Sequence, residues 1–186
     1  LNESLTKNNV KLAYKTAIKG TENLLKLSIK YNIKKFFYFS VLQVYGKEIT
    51  GKITSKNNLN IENDYAKSHY LAEEIIKSYG LKHKLNTNII RLGYSFSCPI
   101  NYKIKRYDLI PINFCLDAIN KNKIMLNSNG LSRRDFISLK EIYKKIFWLL
   151  KNNNEDVNYF NFCSGKTFKI IEIAKMVKNN ASKILK

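Results

Sequence analysis

The stretch Asp64-Tyr65-Ala66-Lys67-Ser68-His69-Tyr70-Leu71-Ala72-Glu73 follows Phe39-Ser40-Val41-Leu42-Gln43-Val44-Tyr45-Gly46 after a polar interval, and the two together carry the fold assignment. Asn63 or Asp64 can cap a helix that carries Ala66, Tyr70, Ala72, Ile75, Ile76 and Tyr79 and stops at Gly80. In such a helix Tyr65 and His69 lie four apart and share a face, so they can act on one ligand as a tyrosine acid/base and its helper. Histidine with an ordinary pKa is mostly neutral at pH 7 and is a weaker cationic helper than lysine. Lys67 cannot replace it, because a residue two positions along a helix points away from Tyr65.

On the N-terminal side of this block, the expected helix covers roughly residues 9–31, with Leu12, Ala13, Ala17, Leu24, Leu25 and Ile29 near the spacing of one stripe. The aromatic run 35–40 reads as a buried parallel strand, 45–63 as a polar loop, and 86–92 as a second strand. Helix, strand, helix, strand at these crossover lengths implies a right-handed parallel α/β sheet. After Leu92 the pattern changes, with Pro99, Pro111 and a basic loop around Lys103, Lys105 and Arg106. There the expected elements are a helix 110–120, a strand 123–127, a turn at Asn129-Gly130, a strand 135–138 and a helix 139–150. A loop at 152–154, a strand 159–163 and a helix 170–179 end the fold.

The 186 residues suffice for one ordinary domain, and the 45% hydrophobic content suffices for a core. The formal net charge of +19 invites a nucleic-acid reading. The lysines travel with abundant Asn, Ile, Tyr and Phe along the whole chain, as an AT-biased coding sequence produces. No zinc finger, RNP-type motif or Arg-rich arm focuses the charge, so nucleic acid is not the expected partner. Cys98, Cys115 and Cys163 are odd in number and widely spaced, which suggests neither a disulfide framework nor zinc and fits a reducing cytoplasm. His69 and His83 are the only histidines, too few for a catalytic metal centre, and no apolar run approaches a membrane span. The chain opens on Leu1 and enters a helical pattern with no strand or glycine loop before it, so an N-terminal truncation is expected.

The order of blocks resembles the extended branch of the short-chain dehydrogenase/reductase superfamily, the NAD-dependent epimerase/dehydratase group that works on nucleotide sugars. The resemblance rests on Lys19-Gly20-Thr21-Glu22-Asn23-Leu24-Leu25, on residues 36–46 and 65–73, on Ile90-Arg91-Leu92, on residues 130–137 (GLSRRDFI), and on residues 160–165. It implies an α/β fold: a partial Rossmann-like parallel sheet with its first strands missing, and a smaller C-terminal substrate-binding α/β region. Residues 1–95 would form the C-terminal half of the NAD-binding domain, and 96–186 the substrate-binding region with segments returning to the main sheet.

By the same resemblance, Tyr65 matches the catalytic tyrosine that exchanges a proton with a sugar hydroxyl while hydride passes to or from nicotinamide. His69 stands where the family has lysine, and with Ser40 and Tyr65 would contact NAD or NADP. Val41 stands where the family has a serine or threonine that orients substrate, a role lost here unless Ser40 shifts into it. Arg134 matches an arginine that grips the substrate's nucleotide phosphates, with an Arg134–Asp135 ion pair as the plainer alternative. The family's G-x-x-G-x-x-G turn, which holds the dinucleotide pyrophosphate, does not occur in these residues. The resulting expectation is an N-terminally truncated, catalytically impaired nucleotide-sugar epimerase or dehydratase, with a non-catalytic binder of a nucleotide sugar or partner subunit as the alternative. A homodimer through the Tyr65 helix suits either reading. An apolar sheet edge is also expected where the missing strand would pair.

Overall fold

The computed structural model describes residues 3–47, 51–98, 101, 109–153 and 155–184. The chain is α/β and divides into two compact units, residues 1–92 with 147–162, and residues 93–146 with 163–186.

In the first unit, α1 (Glu3–Asn8) leads to α2 (Val10–Lys15), a π-helical turn (Thr16–Gly20) and α3 (Thr21–Lys30). The last three run without a break, so the expected helix over 9–31 exists but carries a π turn in its middle. The Asn9 carboxamide caps α2 by accepting the Leu12 amide at 2.9 Å. Three parallel strands follow in the order β1 (Lys35–Val41), β2 (Asn86–Leu92), β5 (Val157–Phe162). A 3-10 turn, Leu42–Tyr45, closes β1, and α4 (Asp64–His83) crosses over to β2.

Position in the sheet separates the strands. β2 is central and buried almost throughout, although Asn86, Thr87, Asn88 and Arg91 are polar; Asn88 Nδ2 donates to Asn86 Oδ1 at 2.7 Å, and Asn153 Nδ2 to Asn88 Oδ1 at 2.6 Å. These side-chain bonds satisfy groups that would otherwise be costly to bury. Among the described residues β1 is an edge strand and only half-buried, with Phe39 46% exposed, the apolar edge the sequence suggests.

Helices α3 and α4 pack on each other and on the sheet through Leu25, Ile76, Leu85 and Ile89, with Phe36 and Tyr38 against them. Asn63 caps α4, its Oδ1 accepting the Ala66 amide at 2.8 Å. The helix does not stop at Gly80. It runs to His83 and ends on Lys84, whose φ of 50° supplies the left-handed cap that glycine usually provides. Gly80 serves packing instead: a Cβ there would lie 2.7 Å from Thr87 Oγ1 and 2.8 Å from Val157 Cγ2.

The second unit contains β3 (Tyr94–Phe96), α5 (Ile110–Lys121), β4 (Arg133–Ser138), β6 (Thr167–Lys169) and α7 (Ile170–Ile184). β4 lies parallel to β3 and antiparallel to β6. Helix α6 (Leu139–Asn152) spans the division, so Asn152 ends a helix and does not open a loop. The strand expected over 123–127 does not form. Ile124 and Leu126 pack against the core of Phe114, Phe136, Ile170 and Ala174, while the Asp117 carboxylate takes the Met125 amide at 3.3 Å. Alternating apolar residues there serve burial without a strand partner. The short β3 and β6 carry too few residues for a periodic signal. The Asn129-Gly130 turn is present, Gly130 having a φ of 71°, and a Cβ there would lie 3.0 Å from Ile171 Cβ. The basic loop at Lys103, Lys105 and Arg106 lies outside the described residues.

Candidate active site

Three residues of α4 at a spacing of four, Tyr65, His69 and Glu73, share the face turned to β1 and β2. Two different environments result, one around Glu73 and one around His69.

Glu73 is fully buried and paired with Arg91, which is 4% exposed; Nη2 donates to Oε2 at 2.7 Å, and Nε lies 3.2 and 3.3 Å from the two carboxylate oxygens. The Ser40 hydroxyl donates to Glu73 Oε1 in a short bond. Arg91 Nη1 donates to the Tyr45 hydroxyl at 2.8 Å, which donates to Asn161 Oδ1 at 2.8 Å. The guanidinium also sits over two rings, its Cζ 4.9 Å from the Tyr45 centroid and 5.0 Å from that of Tyr159. Burial works against the Arg91 charge, yet Glu73 and Tyr45 outweigh it and hold its pKa above the ordinary value. The network ties β1, β2, β5, α4 and the 3-10 turn together. Sequence reading misses it as a unit, although Ile90-Arg91-Leu92 and Glu73 both stand in the blocks that carry the family resemblance. The signal is a charged residue following Ile89 and Ile90 in a strand expected to be buried, which requires a buried partner.

One turn earlier, His69 Nδ1 lies 3.0 Å from the Tyr38 hydroxyl, and the Tyr65 ring meets the imidazole edge-on at a centroid distance of 4.9 Å. Nε2 is buried without a hydrogen-bond partner. Burial pushes the His69 pKa down to about 4, so the ring is neutral at physiological pH. Burial, with Glu73 and Tyr65 nearby, raises that of Tyr38, which therefore keeps its proton. Tyr65 packs beside Val41, Val44 and Tyr45, and the Val41 position lends an apolar wall with no hydroxyl.

Ser40 is buried with its hydroxyl committed to Glu73, the position in which the structure leaves this sequence candidate. In the second unit, Arg134 Nη1 donates to the Arg133 carbonyl at 2.7 Å, and its Cζ stands 5.3 Å from the Tyr94 ring centroid. The alternative Arg134–Asp135 ion pair does not form; the two Asp135 oxygens accept the Ser164 amide at 2.7 Å and the Gly165 amide at 2.8 Å. No cluster of three or more His, Cys, Asp or Glu side chains able to hold a metal occurs among the described residues. Nor, among them, is any helix long and apolar enough to cross a membrane.

A parallel sheet with Tyr65 and His69 on the crossover helix places the first unit in the α/β class. The family model for the NAD dependent epimerase/dehydratase family matches residues 4–163, and the chain belongs to that family. Among curated relatives, dTDP-D-glucose 4,6-dehydratase of Dictyostelium discoideum is 27% identical over 185 residues, covering 90% of this chain and 41% of that protein. UDP-glucose 4-epimerase of Caenorhabditis elegans is 31% identical over 83 residues, 44% of this chain and 24% of that protein. The chain thus spans less than half the length of these relatives. Among solved structures, UDP-N-acetylglucosamine 4-epimerase from Methanobrevibacter ruminantium superposes with a TM-score of 0.86 at 20% identity, over 96% of this chain and 56% of the other. The dTDP-glucose 4,6-dehydratase of Bacillus anthracis, solved in complex with NAD, gives 0.79 at 22% identity, over 96% and 54%. At these identities the structural likeness speaks for the fold.

Proposed function

We propose that this chain carries the tyrosine end of an NAD-linked epimerase or dehydratase site for a nucleotide sugar, and that its catalysis is impaired. The observation behind the reading is the Tyr65–His69 pair with a buried, unpartnered His69 Nε2. An orphaned buried polar atom beside a tyrosine fits the ribose end of a dinucleotide; the glycine-rich turn that would hold the pyrophosphate is not among these residues. When bound, the nicotinamide supplies the hydride acceptor or donor. Tyr65 exchanges a proton between its phenol oxygen and a sugar hydroxyl.

Impairment follows from two residues. A neutral His69 offers a hydrogen bond but no full charge, so it does not lower the Tyr65 pKa as an ammonium would. Val41 cannot hand a proton to either partner. Arg134, whose guanidinium is a planar fork of donors, is proposed to grip the nucleotide diphosphate. Residues 1–95 are assigned to the cofactor side, residues 96–186 to the substrate side with segments returning to the main sheet, and the setting to the cytoplasm. Self-association through α4 and the helix before it is part of the same proposal, supported by Leu24 and Leu27 of α3, 57% and 49% exposed. The same two substitutions favour the rival, a non-catalytic member that binds a nucleotide sugar or a partner subunit.

Calorimetric titration with NAD and with UDP-, GDP- and dTDP-sugars tests the reading, alone and after adding the glycine-turn half of a relative. Sugar nucleotide binding lost in Arg134→Ala, with slow turnover on complementation lost in Tyr65→Phe, is the expected result. Binding without turnover would favour the rival, and no binding in either condition would sink both.

A further inference from the structure

We infer that Tyr38 is a positioning residue: its hydroxyl donates to His69 Nδ1, fixes the imidazole in the tautomer with its proton on Nε2, and so makes Nε2–H a buried donor aimed at a ligand oxygen. The geometry is the 3.0 Å contact between Tyr38 Oη and His69 Nδ1 together with the unpartnered Nε2. Two arrangements satisfy that distance. In one, the phenol donates to Nδ1 and a single buried donor, Nε2–H, is left over. In the other, Nδ1–H donates to the phenol oxygen, which strands the phenol proton and also leaves the Nε2 lone pair unmet. The second leaves two groups unsatisfied where the first leaves one, and each unsatisfied group is costly to bury. Acidity agrees: phenol is the stronger acid of the two, and the imidazole nitrogen the stronger base. Both groups stay in the required protonation state, since burial keeps Tyr38 protonated and His69 neutral.

The consequence bears on what His69 can bind. An Nε2 lone pair would need a donor on the ligand, whereas an Nε2–H needs an acceptor, such as a hydroxyl oxygen of a ribose or hexose. This ligand half rests on the function proposed above; the tautomer half does not. Tyr38 thereby restores to a neutral ring the donor character that a lysine ammonium would have at the same place, without its charge.

The test is nitrogen NMR of the chain with 15N-labelled histidine, assigned through His83→Gln, which leaves His69 as the single imidazole. At neutral pH the wild-type His69 is expected to show Nε2 protonated and Nδ1 as acceptor, and Tyr38→Phe is expected to move both resonances toward a mixture of tautomers. Nδ1 protonated in the wild type, or a Tyr38→Phe spectrum unchanged from it, overturns the assignment. Because the wild-type spectrum alone reports the tautomer, a Tyr38→Phe chain that fails to fold leaves the inference exposed to refutation. In the complemented protein, NAD binding seen by calorimetry is expected to shift Nε2 while Nδ1 stays an acceptor. Binding that leaves Nε2 unmoved overturns the ligand half, and complete absence of binding overturns the function it rests on together with that half, but not the tautomer.

Discussion

Two clusters stand one turn apart on the same face of α4. Around Glu73, carboxylate, guanidinium, phenol and hydroxyl all meet partners, and the whole set is buried. Around His69, one nitrogen is met by Tyr38 and the other by nothing. The contrast separates polar groups satisfied within the fold from one that is not. A satisfied network loses stability when any member is removed, whereas an unsatisfied buried nitrogen already costs stability.

Four measurements put this contrast at risk. The largest effect belongs to Arg91→Leu, which leaves the buried Glu73 carboxylate without its counter-charge; a loss of about 3–5 kcal/mol is expected in urea unfolding. A loss under about 1 kcal/mol would mean that the Glu73 cluster does not hold the fold. Next comes pH. His69 has a pKa of about 4 when folded against an ordinary 6.5, so below pH 6.5 the unfolded chain binds a proton that the folded one refuses. Stability is therefore complete above pH 6.5 and falls by about 3 kcal/mol as pH drops to 4. His69→Leu should flatten this part of the stability–pH curve, and a curve unchanged by the substitution would remove His69 as its source.

Smaller is Ser40→Ala, which takes one donor from a buried carboxylate and should cost about 1.5–3 kcal/mol, measured in the same urea series. If Ser40→Ala instead left stability intact and weakened NAD binding, Ser40 would belong with the cofactor and not with Glu73. The smallest is Asn63→Ala, about 1 kcal/mol for the lost helix cap, read from the thermal midpoint. Because the cap opens the turn that carries Tyr65, any change in sugar-nucleotide binding accompanying it would show that the His69 cluster depends on the helix start more than the Glu73 cluster does.

Much of the fold is legible in the sequence alone. β2 falls where the sequence puts it, and β1 extends one residue beyond the expected 35–40, because aromatic and branched runs bounded by polar loops carry their own signal. The helix end expected at Gly80 fails because one residue type serves two purposes: a glycine that allows close packing looks in sequence like one that ends a helix. The strand expected at 123–127 fails because alternation reports which side chains are buried and not whether a neighbouring strand exists. At the site, Tyr65 and His69 are legible from their spacing of four. Tyr38 is hidden among the aromatics of β1, and only its three-dimensional approach to Nδ1 singles it out. Arg91 and Glu73 are each visible in the sequence, while their pairing across a strand and a helix is not.

Lacking a side chain, Gly80 lets the far part of α4 settle against Thr87 and Val157, and so acts as a gauge for the stand-off between helix and sheet. Residue 69 rides on the same rigid rod about three turns away, roughly 16 Å along the axis. A bulkier residue at the gauge would tilt the rod, and a tilt of a few degrees there becomes a shift of about an ångström at the imidazole, enough to detune the contact with Tyr38 from a distance.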